Sequence, residues 1–171
     1  MMVVLITGCS HTGKTLLAQK LLEKYRFPYL SQAHLKMGLI RSGETTLTAQ
    51  DDRAMTTYLW PITREIAKTA LENQQNLTIE GCYMPFDWKK DFTEEERAHI
   101  RYCCLIMTAE YIEKNFHDIQ QYANVIEHRL DDSFCAKELL QAENRCNLEA
   151  CREHGCPYIL IDQAYQVDME L

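Results

Sequence analysis

Long apolar runs are missing from this chain of 171 residues. Its continuous apolar stretches, such as Val3–Ile6 and Cys103–Met107, fall far short of the roughly 20 residues a membrane-crossing helix needs. Glycine and proline are also scarce, with 6 Gly and 4 Pro, and no Gly/Ser-rich or Pro-rich linker divides the sequence. That excludes collagen-like and low-complexity classes and points to one domain over residues 1–171. Basic residues are outnumbered, 18 Lys and Arg against 25 Asp and Glu, which leaves a net charge of −7 and a pI of about 5.4. A dedicated nucleic-acid binder carries the opposite sign. The N-terminus lacks a basic segment followed by a long apolar one, so the chain is expected to be cytoplasmic, with neither nucleic acid nor membrane as partner. Nothing in the sequence specifies an oligomeric state.

Eight cysteines are present, but no C-x-x-C pair is among them. Cys103 and Cys104 are adjacent in an apolar run, where they read as small hydrophobes on opposite faces of a strand. Cys146, Cys151, His154 and Cys156 cluster near a helix end, but five-residue spacing keeps Cys146 and Cys151 off a shared helix face. Free thiols in a reducing compartment are the expected state.

Apolar segments alternate with helical patterns from end to end. Val3–Thr7 reads as a strand buried on both faces, and Lys14–Tyr25 follows as an amphipathic helix with Leu17, Ala18, Leu21 and Tyr25 at helical spacing. Pro28–Leu30 is a short second strand, and Gln32–Arg41 is a helix ended by Ser42-Gly43. Thr48-x-x-Asp51 has the form of a helix start for a stretch reaching about Asn73, which Pro61 is expected to kink or split. Asn76–Glu80 is a third strand stopped by Gly81, and Thr93-x-x-Glu96 caps a short helix. Ile100–Met107 is a fourth strand, Ala109–Arg129 and Ser133–His154 are helices, and Tyr158–Ile161 is a fifth strand. This order predicts an α/β fold, a parallel sheet with helices on both faces.

One eight-residue stretch carries the chemistry. Gly8-Cys9-Ser10-His11-Thr12-Gly13-Lys14-Thr15 matches G-x-x-x-x-G-K-[ST] at every fixed position, after a strand and before a helix. The glycines permit a turn whose N–H groups converge on an anion, and the following helix N-terminus adds its dipole. Lys14 is then placed for the β- and γ-phosphates, and Thr15 for the Mg²⁺ that bridges them. Cys9 and His11 occupy variable positions and read as loop residues. Glu80 closes the third strand, at the end of a parallel sheet that faces the ligand crevice. It is the candidate carboxylate for Mg²⁺ or for the proton of an acceptor hydroxyl. Asp162, with Gln163, closes the fifth strand in the same way and is a weaker candidate lining for the nucleotide base.

Strand, phosphate loop and acidic strand end together resemble the small P-loop kinases of the nucleoside-monophosphate-kinase type, over nearly the whole chain. Residues 33–43, Glu72-Asn73 and Ile79-Glu80-Gly81-Cys82-Tyr83-Met84-Pro85 are similar to bacterial proteins of the adenylate-kinase-like or 2-phosphoglycerate-kinase-like kind. The resemblance implies a P-loop three-layer sandwich, five strands in the order 2-3-1-4-5, ATP and Mg²⁺ as cofactors, and phosphoryl transfer to a small, anionic acceptor. It implies an acceptor-binding helical region at 32–75, a short lid at about 115–133 with Arg129 acting on the transferring phosphoryl group, and Lys114 where relatives carry an arginine that stacks on adenine. No Arg follows Pro85, so the AMP-site arginine of adenylate kinases is missing.

Lys36, Arg41, Arg53, Arg64 and Tyr83 are the candidates for the acceptor side. Solvated charge is the alternative reading for the four basic residues, as is surface ion pairing for Arg129. Tyr83, Tyr58 and Trp60 are alternatively core aromatics. Two other functions stay open, a nucleotide-gated regulator and a simple NTPase.

Overall fold

In the computed structural model, residues 1–122 and 136–171 are described. The centre is β1 (Val3–Gly8), with all of its residues buried. Such a strand needs a neighbour on each side and a layer on each face. β3 (Leu77–Glu80) pairs with one edge, aligning Ile6 with Glu80, and β4 (Ile100–Met107) pairs with the other, aligning Ile6 with Cys103. β2 (Tyr29–Ser31) lies outside β3 and β5 (Tyr158–Ile161) outside β4. Every pairing is parallel and the order is β2-β3-β1-β4-β5, as the resemblance implied.

Alternation along the strands builds two cores. Val3, Leu5, Ile79, Tyr102 and Cys104 face α3 (Asp52–Glu72), where Trp60, Ala67 and Leu71 meet them. Val4, Ile6, Cys103 and Leu105 face α1 (Lys14–Tyr25) and α5 (Ala109–Tyr122), through Leu17, Leu21 and Ile112. Each fully buried Leu or Ile contributes about 1.5–3 kcal/mol. Cys103 and Cys104 therefore serve opposite cores, as strand alternation requires.

α2 (Gln32–Ser42) ends on Gly43 in the left-handed conformation. α4 (Glu94–Ala98) opens with the expected capping box between Thr93 and Glu96. α6 (Lys137–His154) crosses the C-terminal end of β4, where buried Asn144 accepts the Met107 N–H at 2.8 Å.

Two local expectations need correction. Pro61 does not split α3, which runs unbroken for 21 residues. Pro61 and Thr57, whose carbonyl it leaves unpaired, are both exposed, while Met55, Leu59, Trp60 and Thr63 on the other side hold the helix to the core. A lost helical bond costs about 3 kcal/mol, and burial of this face offsets it. Nor does Thr48 cap the helix. α3 starts at Asp52, and the Asp51 carboxylate turns back to accept Thr48 N and Oγ1, both at 2.7 Å. Among the described residues, no helix is long and apolar enough to cross a membrane.

Candidate active site

The phosphate loop joins β1 to α1 at the C-terminal edge of the sheet. Gly8 passes so close to β4 that a Cβ there would lie 2.5 Å from the Leu105 carbonyl oxygen. Gly13 has φ +83°, and His11 also takes a left-handed conformation (φ +67°). Inside the turn, the Cys9 carbonyl accepts Thr12 Oγ1 at 2.9 Å and Lys14 Nζ at 2.6 Å. No acidic residue occupies the first turn of α1 and no side chain caps it, so its N-terminal amides face the loop without a competing anion.

Lys14 is buried, with only 8% of its surface exposed. Burial alone opposes its charge, but the neighbouring Cys82 thiol and Glu80 carboxylate outweigh this and hold the ammonium above its ordinary range. Burial, with Glu143 nearby, pushes the Cys9 thiol up to about 12, against the pull of Lys14. Cys9 stays protonated and fits its reading as a loop residue.

Glu80 ends β3 beside Ser31 of β2 and Ile6 of β1, on the α1 face of the sheet. It is 2% exposed, and its Oε1 has no hydrogen-bond partner among the described residues. Ser31 Oγ, its register neighbour, is buried and unpartnered as well. Adjacent buried oxygens without donors are the environment a hydrated cation or a hydroxyl would complete, so the residues present fit Mg²⁺. Among the described residues, no three His, Cys, Asp or Glu side chains form a further metal-binding group.

The turn after Glu80 is fastened by Gln32, a wholly buried residue at the start of α2. Gln32 Oε1 accepts the Tyr83 N–H at 2.9 Å, while its Nε2 donates to Thr63 Oγ1 at 3.0 Å and to the Tyr83 carbonyl at 3.2 Å. Gly81 leaves room for this side chain, since a Cβ there would lie 2.3 Å from Gln32 Oε1. The Tyr83 ring packs on Met55 and Leu59, and its hydroxyl donates to Asp52 at 2.8 Å. Lys36 Nζ donates to the same hydroxyl at 2.7 Å and lies 5.1 Å from the ring centroid. Burial, then the Asp52 carboxylate, raises the Tyr83 phenol, so it remains a donor.

Of the acceptor-side candidates, Lys36 and Tyr83 thus come together. Arg53 lines an adjoining cleft of about 500 Å³, which shares Asp52 with the Lys36–Tyr83 group. Arg41 is exposed near the end of α2. Arg64 is engaged by Glu65 at 2.7 Å and Asp91 at 3.6 Å, not by the Lys36–Tyr83 group. Trp60 belongs to the core and donates to Asp91 at 2.8 Å, and Tyr58 donates to the Glu44 carbonyl at 3.1 Å. Lys114 is exposed on α5, one residue before Asn115 departs from helical geometry at the start of the expected lid. Asp162 accepts Thr108 Oγ1 at 3.0 Å, joining the ends of β5 and β4, and Gln163 beside it is exposed. Arg129 lies outside the described residues.

Sequence reasoning missed Gln32, Asp52, Asn147 and Tyr165. Asn147 of α6 donates to Cys9 Sγ at 3.1 Å, and the Tyr165 hydroxyl donates to the Thr12 carbonyl at 3.2 Å. Both partners lie more than 130 residues away in sequence, and no local spacing marks them. Gln32 carried one signal, a polar residue directly after a strand that ends against the crevice.

No protein-family model and no curated protein matches the chain. Solved structures do. A proposed kinase from Chloroflexus aurantiacus is similar over 98% of this chain and 91% of its own, with a TM-score of 0.58 and 21% identity. A deoxyadenosine kinase from M. mycoides, solved with its products, is similar over 98% and 92%, with a TM-score of 0.58 and 12% identity. The fold is that of the P-loop kinases. The YorR protein of Bacillus subtilis, solved with phosphorylated GDP, is similar over 94% of the chain and 85% of its own, at a TM-score of 0.51 and 12% identity.

Proposed function

We propose that this protein transfers the γ-phosphoryl group of ATP to a hydroxyl of a small, anionic acceptor. The observation that carries the reading is the pairing of two features across neighbouring strands. One is a complete phosphate loop with a buried, positively charged Lys14. The other is Glu80, a buried strand-end carboxylate with an oxygen left open. The deoxyadenosine kinase of the same fold is consistent with that chemistry.

The loop amides and the open N-terminus of α1 hold the phosphate chain. Lys14 exchanges the Cys9 carbonyl for a phosphate oxygen and neutralises charge as the phosphoryl group moves. Glu80 accepts a hydrogen bond from the acceptor hydroxyl and takes its proton. Mg²⁺, held by Thr15 and Glu80, would supply charge neutralisation at the β- and γ-phosphates. Gln32 keeps the Glu80–Tyr83 turn in place, and Lys36 offers positive charge on the acceptor side. Arg129 as a lid arginine, Lys114 and Asp162 near the base, and Arg53 in the adjoining cleft complete the assignment.

An ADP-release assay with Mg·ATP tests this against nucleoside monophosphates, 2-phosphoglycerate, shikimate, gluconate and amino sugars. Acceptor-dependent release is expected, reduced by about 100-fold or more in Lys14→Ala. ATP binding is measured in parallel by calorimetry. Tight binding with no acceptor-dependent release would favour the nucleotide-gated regulator.

A further inference from the structure

After β5 the chain folds back over α1. Lys20 Nζ donates to the Val167 carbonyl at 2.7 Å, Val167 is buried, and Lys24 and Tyr25 both bond Glu170 at 2.5 Å. These contacts strap residues 165–170 to the helix that opens at the phosphate loop. At the loop end of the strap stands Tyr165. Its hydroxyl donates to the Thr12 carbonyl at 3.2 Å, and it occupies the place a side chain at position 13 would need, 1.7 Å from the Cβ of such a residue. Burial raises the phenol to about 12, so it is a donor throughout the neutral range.

The Thr12 carbonyl belongs to the same peptide unit as the Gly13 N–H. A peptide unit is planar and trans, so its C=O and N–H point in opposite directions. Whatever fixes the carbonyl aims the N–H. Thr12 Oγ1 anchors one side of this peptide on the Cys9 carbonyl and the Leu17 N–H holds the Gly13 carbonyl on the other at 3.0 Å, while the hydrogen bond to the Thr12 carbonyl itself comes from Tyr165.

We propose that Tyr165 is a positioning residue of the phosphate loop: by holding the Thr12 carbonyl outward it aims the Gly13 N–H at the β-phosphate of a bound nucleotide. The inference rests on the nucleotide-binding reading above. It adds a specific contact, 153 residues distant in sequence, on which the loop geometry depends.

Calorimetric titration of the full chain with ATP, ADP and AMP tests it. Tyr165→Phe keeps the ring and removes only the hydrogen bond. Loss of one such bond is expected to weaken ATP and ADP about fivefold. AMP, which has no β-phosphate, is expected to shift by less than about twofold on the same scale. Tyr25→Phe, at the far end of the strap, is expected to lower the melting temperature and leave all three affinities alone. Unchanged ATP affinity in Tyr165→Phe would overturn the proposal, and so would equal weakening of ATP and AMP. Should Tyr165→Ala fail to fold, the Phe variant alone decides. Lys14→Ala separates the two levels: if it binds ATP as tightly as the parent, the nucleotide reading falls and this inference with it.

Discussion

The two sides of the crevice are built on different principles. On the proposed phosphate side, backbone amides would do the recognising. Gly8–Thr15 is one contiguous turn, its donors are amides, and only a few side chains need fixed identities. On the proposed acceptor side, the groups are side chains gathered from α2, α3 and the turn after β3: Gln32, Lys36, Asp52, Thr63 and Tyr83. A backbone site can be read in a sequence because its residues are neighbours. A side-chain site is assembled by the fold, so its residues are scattered and its partners are visible only after the chain is packed. The two sides also tolerate change differently, and that difference can be measured.

Glu80 stands where the sides meet, so its replacement should break the comparison most severely. Glu80→Gln keeps the size and removes the charge. Turnover is expected to fall by about 10²–10⁴-fold, the range for loss of a positioned acid–base group, in a steady-state ADP-release assay. Because the Glu80 carboxylate also balances the buried Lys14 ammonium, urea unfolding of this variant at neutral pH should show a loss of stability beside the loss of turnover. A loss of turnover under about tenfold would place the proton transfer elsewhere.

Gln32→Leu separates fold from chemistry on the acceptor side. It leaves the Tyr83 N–H and carbonyl without their buried partner, while the Thr63 hydroxyl keeps its bond to the Leu59 carbonyl at 2.9 Å. The expected cost is about 2–4 kcal/mol, from unsatisfied groups at about 1–3 kcal/mol each with partial relaxation. Equilibrium unfolding in urea measures it. ATP affinity should change far less than stability, since Gln32 bonds Thr63 and Tyr83 and reaches Lys14 only through Cys82 in the turn it fastens. Coupled loss of both would mean that the two sides are one unit.

The smallest effect is expected at Glu170→Gln. Lys24 and then Tyr25 hold the Glu170 carboxyl below the usual carboxylate range. Any stabilisation from this pairing is therefore present above the ordinary carboxylate pKa and fades as pH falls through the lowered one. The pair is exposed, so solvent and salt screen it, and a shift of no more than about a degree in thermal midpoint is expected at neutral pH. A larger shift would show that the strap over α1 depends on this end as much as on buried Val167.

Much of the fold was legible because it rests on local patterns. Six all-buried residues of β1 could only be a central strand, and the alternation of strands with helical periods left a parallel sheet as the outcome. The error at Pro61 arose where tertiary burial overrode a local rule, since one exposed carbonyl is a small loss beside the packed face of α3. At the candidate site, the places of Lys14 at the start of α1 and of Glu80 at the end of β3 were readable from position alone. Arg64 was not: a basic residue on a helix gives no sign of which neighbour will take it, and Asp91 does so here. Asn147 and Tyr165 carry no local signature at all, because each is defined only by the loop it touches.

Lys14 Nζ rests on the Cys9 carbonyl at 2.6 Å, inside the loop itself. An incoming molecule must displace that contact, and a peptide carbonyl is a good acceptor for an ammonium. Uncharged ligands offer nothing better. An anionic phosphate does, because hydrogen bonds between ionised partners are about twice as strong as neutral ones. On the proposed reading, the loop would sort ligands by charge before it tested their shape.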